Sequence, residues 1–302
     1  MAQALLDDLE LALELAGVAD SITMSRFGAF DLVVETKPDL TPVTEADRAV
    51  EQLIRERLGQ ARPGDAVLGE EYGASRGGEI GAGGGAGDAG GADDAGATGR
   101  RWIIDPIDGT KSYVRGIPVW ATLIALQEGI DGAGARGEGR ARDGGKRRPE
   151  RGRLTVAVVS APALGRRWWA ARGEGAFADG RPIRVSGVSE LADAQLSFAG
   201  LEDWGAAGRL DALLELARRC WRTRGFGDFW SYMLVAEGAV DIGGLDPVVS
   251  VWDLAAPQLI VEEAGGRFTD LGGVPTADGG DAIATNGLLH EAALAIVGRP
   301  WR

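Results

Sequence analysis

The chain has 302 residues, 45% apolar and 25% charged, enough for a substantial buried core and the composition of a globular protein in water. A net charge of −13 argues against a general binder of nucleic acid or of anionic membranes. One cysteine, Cys220, and one histidine, His290, exclude an internal disulfide, a cysteine-based zinc site and a multi-histidine metal centre, and all but exclude a Ser-His-Asp triad.

Residues 3–19 place Leu5, Leu9, Ala12, Leu13 and Ala16 on one helical face. Asp7, Asp8 and Glu10 within that pattern are unlike a signal peptide, no run reaches transmembrane length, and the lone cysteine suits a reducing cytoplasm. A short strand is predicted at Leu32–Glu35 and a turn at Thr36–Asp39. Thr44 then reads as the N-cap of a helix burying Val50, Leu53, Ile54 and Leu58, with Asp47 closing a capping box. Asp65–Gly69 should be a strand that delivers Glu70, and a buried Glu is expensive without partners.

Residues 77–99 are mostly Gly and Ala, with four acids and no base, and read as a flexible excursion. The basic, glycine-rich stretch 129–153, with Lys146, Arg147 and Arg148, reads as an extended hairpin tip rather than an RNA contact. The G-x-G-x-x-G matches at 85–90 and 132–137 follow from composition and support no dinucleotide site. Strands are predicted at Val119–Leu126 and Leu154–Ser160, followed by short hairpins around Trp168, Phe177 and Ile183. Beyond them come a strand at Gln195–Ala199, a helix over 207–219 that leaves Cys220 as a small buried side chain, and a strand ending at Arg224. Asp228 starts a helix, Val240–Ile242 is a strand, and Asp253 reads as the N-cap of a helix running to Glu262 in which Pro257 sits awkwardly. Strands at Arg267–Thr269 and Ala282–Ala284 and a final helix over Gly287–Val297 complete the chain.

The stretch that organises the rest is Trp102-Ile103-Ile104-Asp105-Pro106-Ile107-Asp108-Gly109-Thr110. Its apolar run reads as a buried strand that brings Asp105 to its carboxyl end, where Pro106 blocks further ladder pairing. A tight turn would then bring Asp108 beside Asp105. Clustered carboxylates repel unless a cation lies between them, and hard divalent ions prefer such oxygen donors. Backbone N–H groups at the Gly-Thr turn suit a phosphate. Ordinary turn chemistry also favours Asp, Pro and Gly, so the stretch alone leaves both readings open.

This motif resembles the central signature of the inositol monophosphatase superfamily. Val43-Thr44-Glu45-Ala46-Asp47, Gly69-Glu70-Glu71, Val251-Trp252-Asp253 and Glu263-Ala264-Gly265-Gly266 match further blocks of that family in order. Lys111-Ser112-Tyr113 and Gly227-Asp228-Phe229-Trp230 are similar to the histidinol-phosphate phosphatase branch. The resemblance implies a layered α/β/α/β/α sandwich, one unit over 1–302 carrying the two insertions. It implies a site with two or three Mg²⁺ held by Glu70, Asp105, the Ile107 carbonyl, Asp108 and Asp253, with a third ion near Asp47. Glu70, Thr110 and Asp47 would then serve the attacking water, and Gly109, Thr110 and Lys111 the phosphate. Arg224, Asp228, Asp246, Asp108 and Asp253 would face the substrate; Asp228 reads equally as an N-cap or as the partner of a cationic amine. The implied reaction is hydrolysis of L-histidinol phosphate, with inositol or another sugar phosphate as the alternative substrate. A non-catalytic regulatory or RNA-binding protein on the same fold is the third reading. The implied partners are a small phosphate monoester and a second copy of the chain, with neither nucleic acid nor membrane.

Overall fold

A computed structural model describes residues 2–38, 40–76, 97–130 and 152–298. The chain opens with helix α1 (Ala2–Arg26), a hairpin of β1 (Val34–Thr36) and β2 (Pro42–Thr44), and helix α2 (Glu45–Ala61). Strands β3 (Ala66–Gly69), β4 (Gly73–Arg76) and β5 (Arg100–Asp108) lead into the short helix α3 (Thr110–Val114). A meander follows, of β6 (Ala121–Glu128), β7 (Arg153–Ala161), β8 (Arg166–Ala171), β9 (Gly175–Ala178) and β10 (Arg181–Ile183). Next come β11 (Gln195–Ser197), α4 (Leu201–Ala206), α5 (Leu210–Arg219), β12 (Arg222–Arg224), α6 (Asp228–Ala236) and β13 (Ile242–Asp246). The chain ends with α7 (Val251–Glu263), β14 (Arg267–Thr269), β15 (Ala282–Thr285) and α8 (His290–Val297).

Eight strands form one sheet in the order β10-β9-β8-β7-β6-β5-β3-β4, antiparallel except for β3 beside β5. Five form the other, in the order β12-β11-β13-β15-β14. Trp102 and Ile104 pack with Ala12, Ala16, Val50 and Ile54 of α1 and α2, whereas Ile103 packs with Leu254 and Val261 of α7. The twofold alternation along β5 therefore gives the large sheet a helical layer on each face. Helices α6 and α7 lie between the two sheets, and α5 and α8 cover the far face of the smaller one. This is the expected α/β/α/β/α sandwich. No helix among the described residues is long and apolar enough to cross a membrane.

Several local expectations are corrected. Pro106 does not end its strand: β5 runs on to Asp108, with the register against β6 slipping between Asp105 and Asp108. A bulge absorbs the proline, and the Pro106 carbonyl accepts the Thr122 hydroxyl at 2.8 Å. The N-cap of α7 is Ser250, and Asp253 is its third residue, accepting the Ser250 N–H at 2.9 Å. This earlier start puts Pro257 inside α7, where its missing N–H leaves the Asp253 carbonyl without the usual helical donor. Gly227, not Asp228, caps α6; Asp228 is the first helical residue. Cys220 is half-buried at the end of α5 rather than in the core, because the helix starts only at Leu210 and stops before it. The expected excursions at 77–99 and 129–153 fall largely outside the described residues, as do Lys146, Arg147 and Arg148 and both glycine-rich matches.

Candidate active site

Four structural elements meet at the carboxyl end of β5. Asp105 faces the same side as Ile103, towards α7, and there it meets Asp253 from the first turn of that helix. One carboxylate oxygen from each of Asp105, Asp108 and Asp253 lies within 4.8 Å of the other two. Asp105 and Asp253 meet here although they are far apart in the chain. Asp108 is held from the α6 side, accepting the Phe229 N–H at 2.7 Å. The Asp105 carboxylate also accepts the Ile107 N–H at 2.9 Å, which fixes the bulged backbone.

Glu70 arrives from the turn after β3, its own N–H bonded to the Ile104 carbonyl at 3.2 Å. Its field raises the carboxyl groups of both Asp105 and Asp253. Burial first, then Glu70, Asp253 and Asp108, hold the Asp105 carboxyl well above the usual carboxylate range. Asp108 is raised in the same way, by burial and then by Asp228 and Asp253. Asp253 is pushed up to about 7, chiefly by burial and then by Glu70. Buried acids that repel one another in this way could hold a cation, and their all-oxygen donors suit a hard divalent ion.

Asp47 occupies a second ring around this cluster. Its Oδ2 accepts the Thr44 N–H at 2.8 Å and the Thr44 hydroxyl at 2.5 Å, so the expected capping box is present. Burial pushes its carboxyl to about 6 against those two bonds. Its Oδ1 is left facing Thr110, whose single hydroxyl hydrogen has two acceptors within reach, Asp47 Oδ1 at 3.3 Å and the Ile107 carbonyl at 2.9 Å. Gly109 is left-handed at φ 85°, and a Cβ there would meet the Val119 carbonyl at 2.9 Å and Asp228 Oδ2 at 3.1 Å. Only glycine lets the turn close against β6 and α6. Beneath the turn, Tyr113 packs edge-on to Trp120 at 5.0 Å and donates to the Thr23 carbonyl at 2.7 Å, anchoring α3 to α1.

Close enough to raise the Asp108 carboxyl, Asp246 accepts the Tyr232 hydroxyl at 2.5 Å, and burial pushes its own carboxyl up to about 7. Asp228 stands exposed with φ 45°, its carboxyl raised by desolvation and drawn down by the exposed Lys111. Arg224 is exposed on the edge strand β12, its guanidinium bonded to the Thr223 carbonyl at 2.7 Å; the structure does not bring it into the carboxylate cluster. Sequence reasoning missed Lys37, whose ammonium lies 2.8 Å from Glu70 and 2.6 Å from Glu71. Burial and then Glu70 push the Glu71 carboxyl to about 7, opposed by that ammonium.

The family model described as the inositol monophosphatase family matches residues 6–134 and 149–300. The chain belongs to the inositol monophosphatase family. It is therefore a phosphoric monoester hydrolase, and the family is metal-dependent, with which the acidic cluster is consistent. It is 54% identical over 293 residues to a histidinol-phosphatase of Mycobacterium tuberculosis, covering 95% of this chain and 96% of that one. A histidinol-phosphatase of Streptomyces coelicolor is 49% identical, with 98% of each chain covered. Among solved structures, the extragenic suppressor protein suhB of Bartonella henselae superposes with a TM-score of 0.77 at 25% identity, covering 98% of this chain and all of that one.

Proposed function

We propose that this chain hydrolyses L-histidinol phosphate to L-histidinol and phosphate, using two or three Mg²⁺ ions. The carboxylate cluster of Asp105, Asp108 and Asp253 beside Glu70 supports the chemistry. The two histidinol-phosphatase relatives, alike along almost their whole lengths, support the substrate. Glu70, Asp105, the Ile107 carbonyl, Asp108 and Asp253 would hold the metal, with a further ion near Asp47. When bound, such ions supply an acidified water and positive charge against the phosphoryl oxygens.

The remaining work falls to the chain's own groups. Thr110 and Glu70 orient the attacking water, and Asp47, through its contact with the Thr110 hydroxyl, fixes that hydroxyl's direction. The N–H groups of Gly109 and Thr110, together with the Lys111 ammonium, face the phosphoryl oxygens as charge shifts in line. Asp246, oriented by Tyr232, stands at the leaving-group side. Asp228 and Asp246 together make an acidic mouth that suits a substrate carrying an ammonium on the far side of its phosphate. Steady-state phosphate release from L-histidinol phosphate and from inositol 1-phosphate tests this reading. The expected preference in kcat/KM is about a hundredfold or more for the amine-bearing ester. A preference for inositol 1-phosphate would instead place the chain with the sugar-phosphate enzymes.

A further inference from the structure

Helix α2 carries an ion pair with neither side chain exposed: Glu51 and Arg55, one turn apart and 2.7 Å from each other. Taking two charges out of water costs several kcal/mol per ion, and the mutual attraction offsets this only when other hydrogen bonds complete the geometry. Those bonds all go to one place. The Glu51 carboxylate accepts the Glu71 N–H at 2.7 Å and the Tyr72 N–H at 3.2 Å. Arg55 donates to the Ser75 hydroxyl at 2.5 Å and to the Gly73 carbonyl, and its guanidinium lies 5.9 Å from the centre of the Tyr72 ring. On the other side of the same turn, a Cβ on Gly69 would run into the Glu51 carboxylate. The backbone is therefore clasped on both sides of Glu70. Gly69 lies against Glu51, and the two residues after Glu70 donate to it.

We infer that Glu51, locked in place by Arg55, is a positioning residue that sets the direction of Glu70 towards the metal; this rests on the proposed metal role of Glu70. Glu70 sits in the turn between β3 and β4; its carboxylate meets the Lys37 ammonium at 2.8 Å, but the backbone that carries it is held by Glu51. A carboxylate acceptor holds two N–H groups more strongly than a neutral one. An apolar pair of similar volume would serve the helix as well. The charges are explained by the turn they organise.

Manganese(II) serves as the probe, titrated into the whole protein with binding read by electron paramagnetic resonance, alongside thermal melting. Glu51→Gln preserves volume and should weaken Mn²⁺ binding about tenfold, the usual effect of losing an outer partner of a metal site. The Mg²⁺ concentration giving half-maximal activity should rise by a similar factor, with a smaller change in the KM for substrate. Arg55→Lys keeps the positive charge but loses the forked donors, and should show a weaker loss of the same kind; it carries the test if Glu51→Gln does not fold. Lower melting temperatures with unchanged Mn²⁺ affinity in the folded variants would make the pair purely structural and overturn the inference. Glu70→Gln separates the two levels. If it weakens Mn²⁺ binding and Glu51→Gln does not, the positioning role fails alone; if it leaves Mn²⁺ affinity unchanged, the metal role of Glu70 fails and takes the inference with it.

Discussion

The Thr110 hydroxyl lies 3.3 Å from Asp47 Oδ1, across 63 positions of chain, so the first residue of α3 meets the third residue of α2. Asp47 does two jobs with two oxygens. Oδ2 completes the cap of α2 with Thr44, and Oδ1 remains for the site. Thr110→Ala should lower kcat by about 10²-fold, in the range typical of a lost proton-handling group. Its melting temperature should stay close to wild type, because the capping box is untouched. Thr110→Ser should restore most of the activity, and steady-state kinetics with a melting curve on each variant checks this.

The mutual repulsion of Asp105, Asp108 and Asp253 gives a stability prediction with an unusual sign. Without metal, burial and the neighbouring acids oppose ionisation of each carboxyl in the cluster, so Asp105→Asn should leave the metal-free protein as stable as wild type or more so. The amide oxygen can still accept the Ile107 N–H. With Mg²⁺ the order reverses. Ligand at about a hundred times its Kd stabilises wild type by about 2.7 kcal/mol, which raises its melting temperature by several degrees. Asp105→Asn should show little of that shift. Calorimetry with chelator and with Mg²⁺ decides between these outcomes.

His290 predicts a pH dependence remote from the site. It is fully buried, with Nε2 3.0 Å from the Thr269 hydroxyl and Nδ1 3.1 Å from the Thr285 hydroxyl. Thr269 gives its own proton to the Asp270 carbonyl at 2.7 Å, so Nε2 carries the ring hydrogen and Nδ1 accepts from Thr285. A second ring proton would lie against that donor in a dry site. Burial, and secondarily Arg267, lower the pKa from 6.5 to about 4. The unfolded chain therefore takes up the proton first as pH falls. The stability His290 contributes is complete above about 6.5 and is lost as pH drops towards 4. The unfolding free-energy gap between wild type and His290→Gln should shrink over that window by up to about 1.4 kcal/mol per pH unit. Urea titrations at three pH values test it; a gap that stays constant would show an imidazole titrating normally.

The acidic mouth predicts a selective effect on substrate charge. Asp228→Asn should raise the KM for L-histidinol phosphate by up to about fivefold, the worth of one exposed charge pair of about 1 kcal/mol at most. It should leave the KM for a neutral alkyl phosphate of similar length almost unchanged. Equal effects on both esters would mean that Asp228 supports the Gly109 turn rather than reading the amine.

The layered fold and the full ligand set were legible only through the resemblance of the Asp105–Thr110 motif and its companion blocks to a known family; what the residues themselves showed was local, an apolar run that ends in two carboxylates at a turn. The capping box at Thr44 and Asp47 was legible for the same local reason. Glu51, Arg55 and Lys37 were not. A buried ion pair on a helix is spelled with the same residues as a solvated i,i+4 pair, and only the fold shows that nothing covers it with water. Lys37 lies in the loop beyond β1, whose approach to Glu70 depends on the β1–β2 hairpin rather than on any nearby motif. Pro106 misled because a proline normally ends a ladder, and a bulge that absorbs it leaves no mark in the residue pattern.

The most direct measurement is phosphate release from L-histidinol phosphate at saturating Mg²⁺ by wild type and by Asp105→Asn, each shown to be folded by circular dichroism. The account predicts steady turnover by the wild type and a loss of about 10³-fold or more in the variant, on the order of 4 kcal/mol of transition-state stabilisation. A folded Asp105→Asn protein that retains activity within a few-fold of wild type would contradict it.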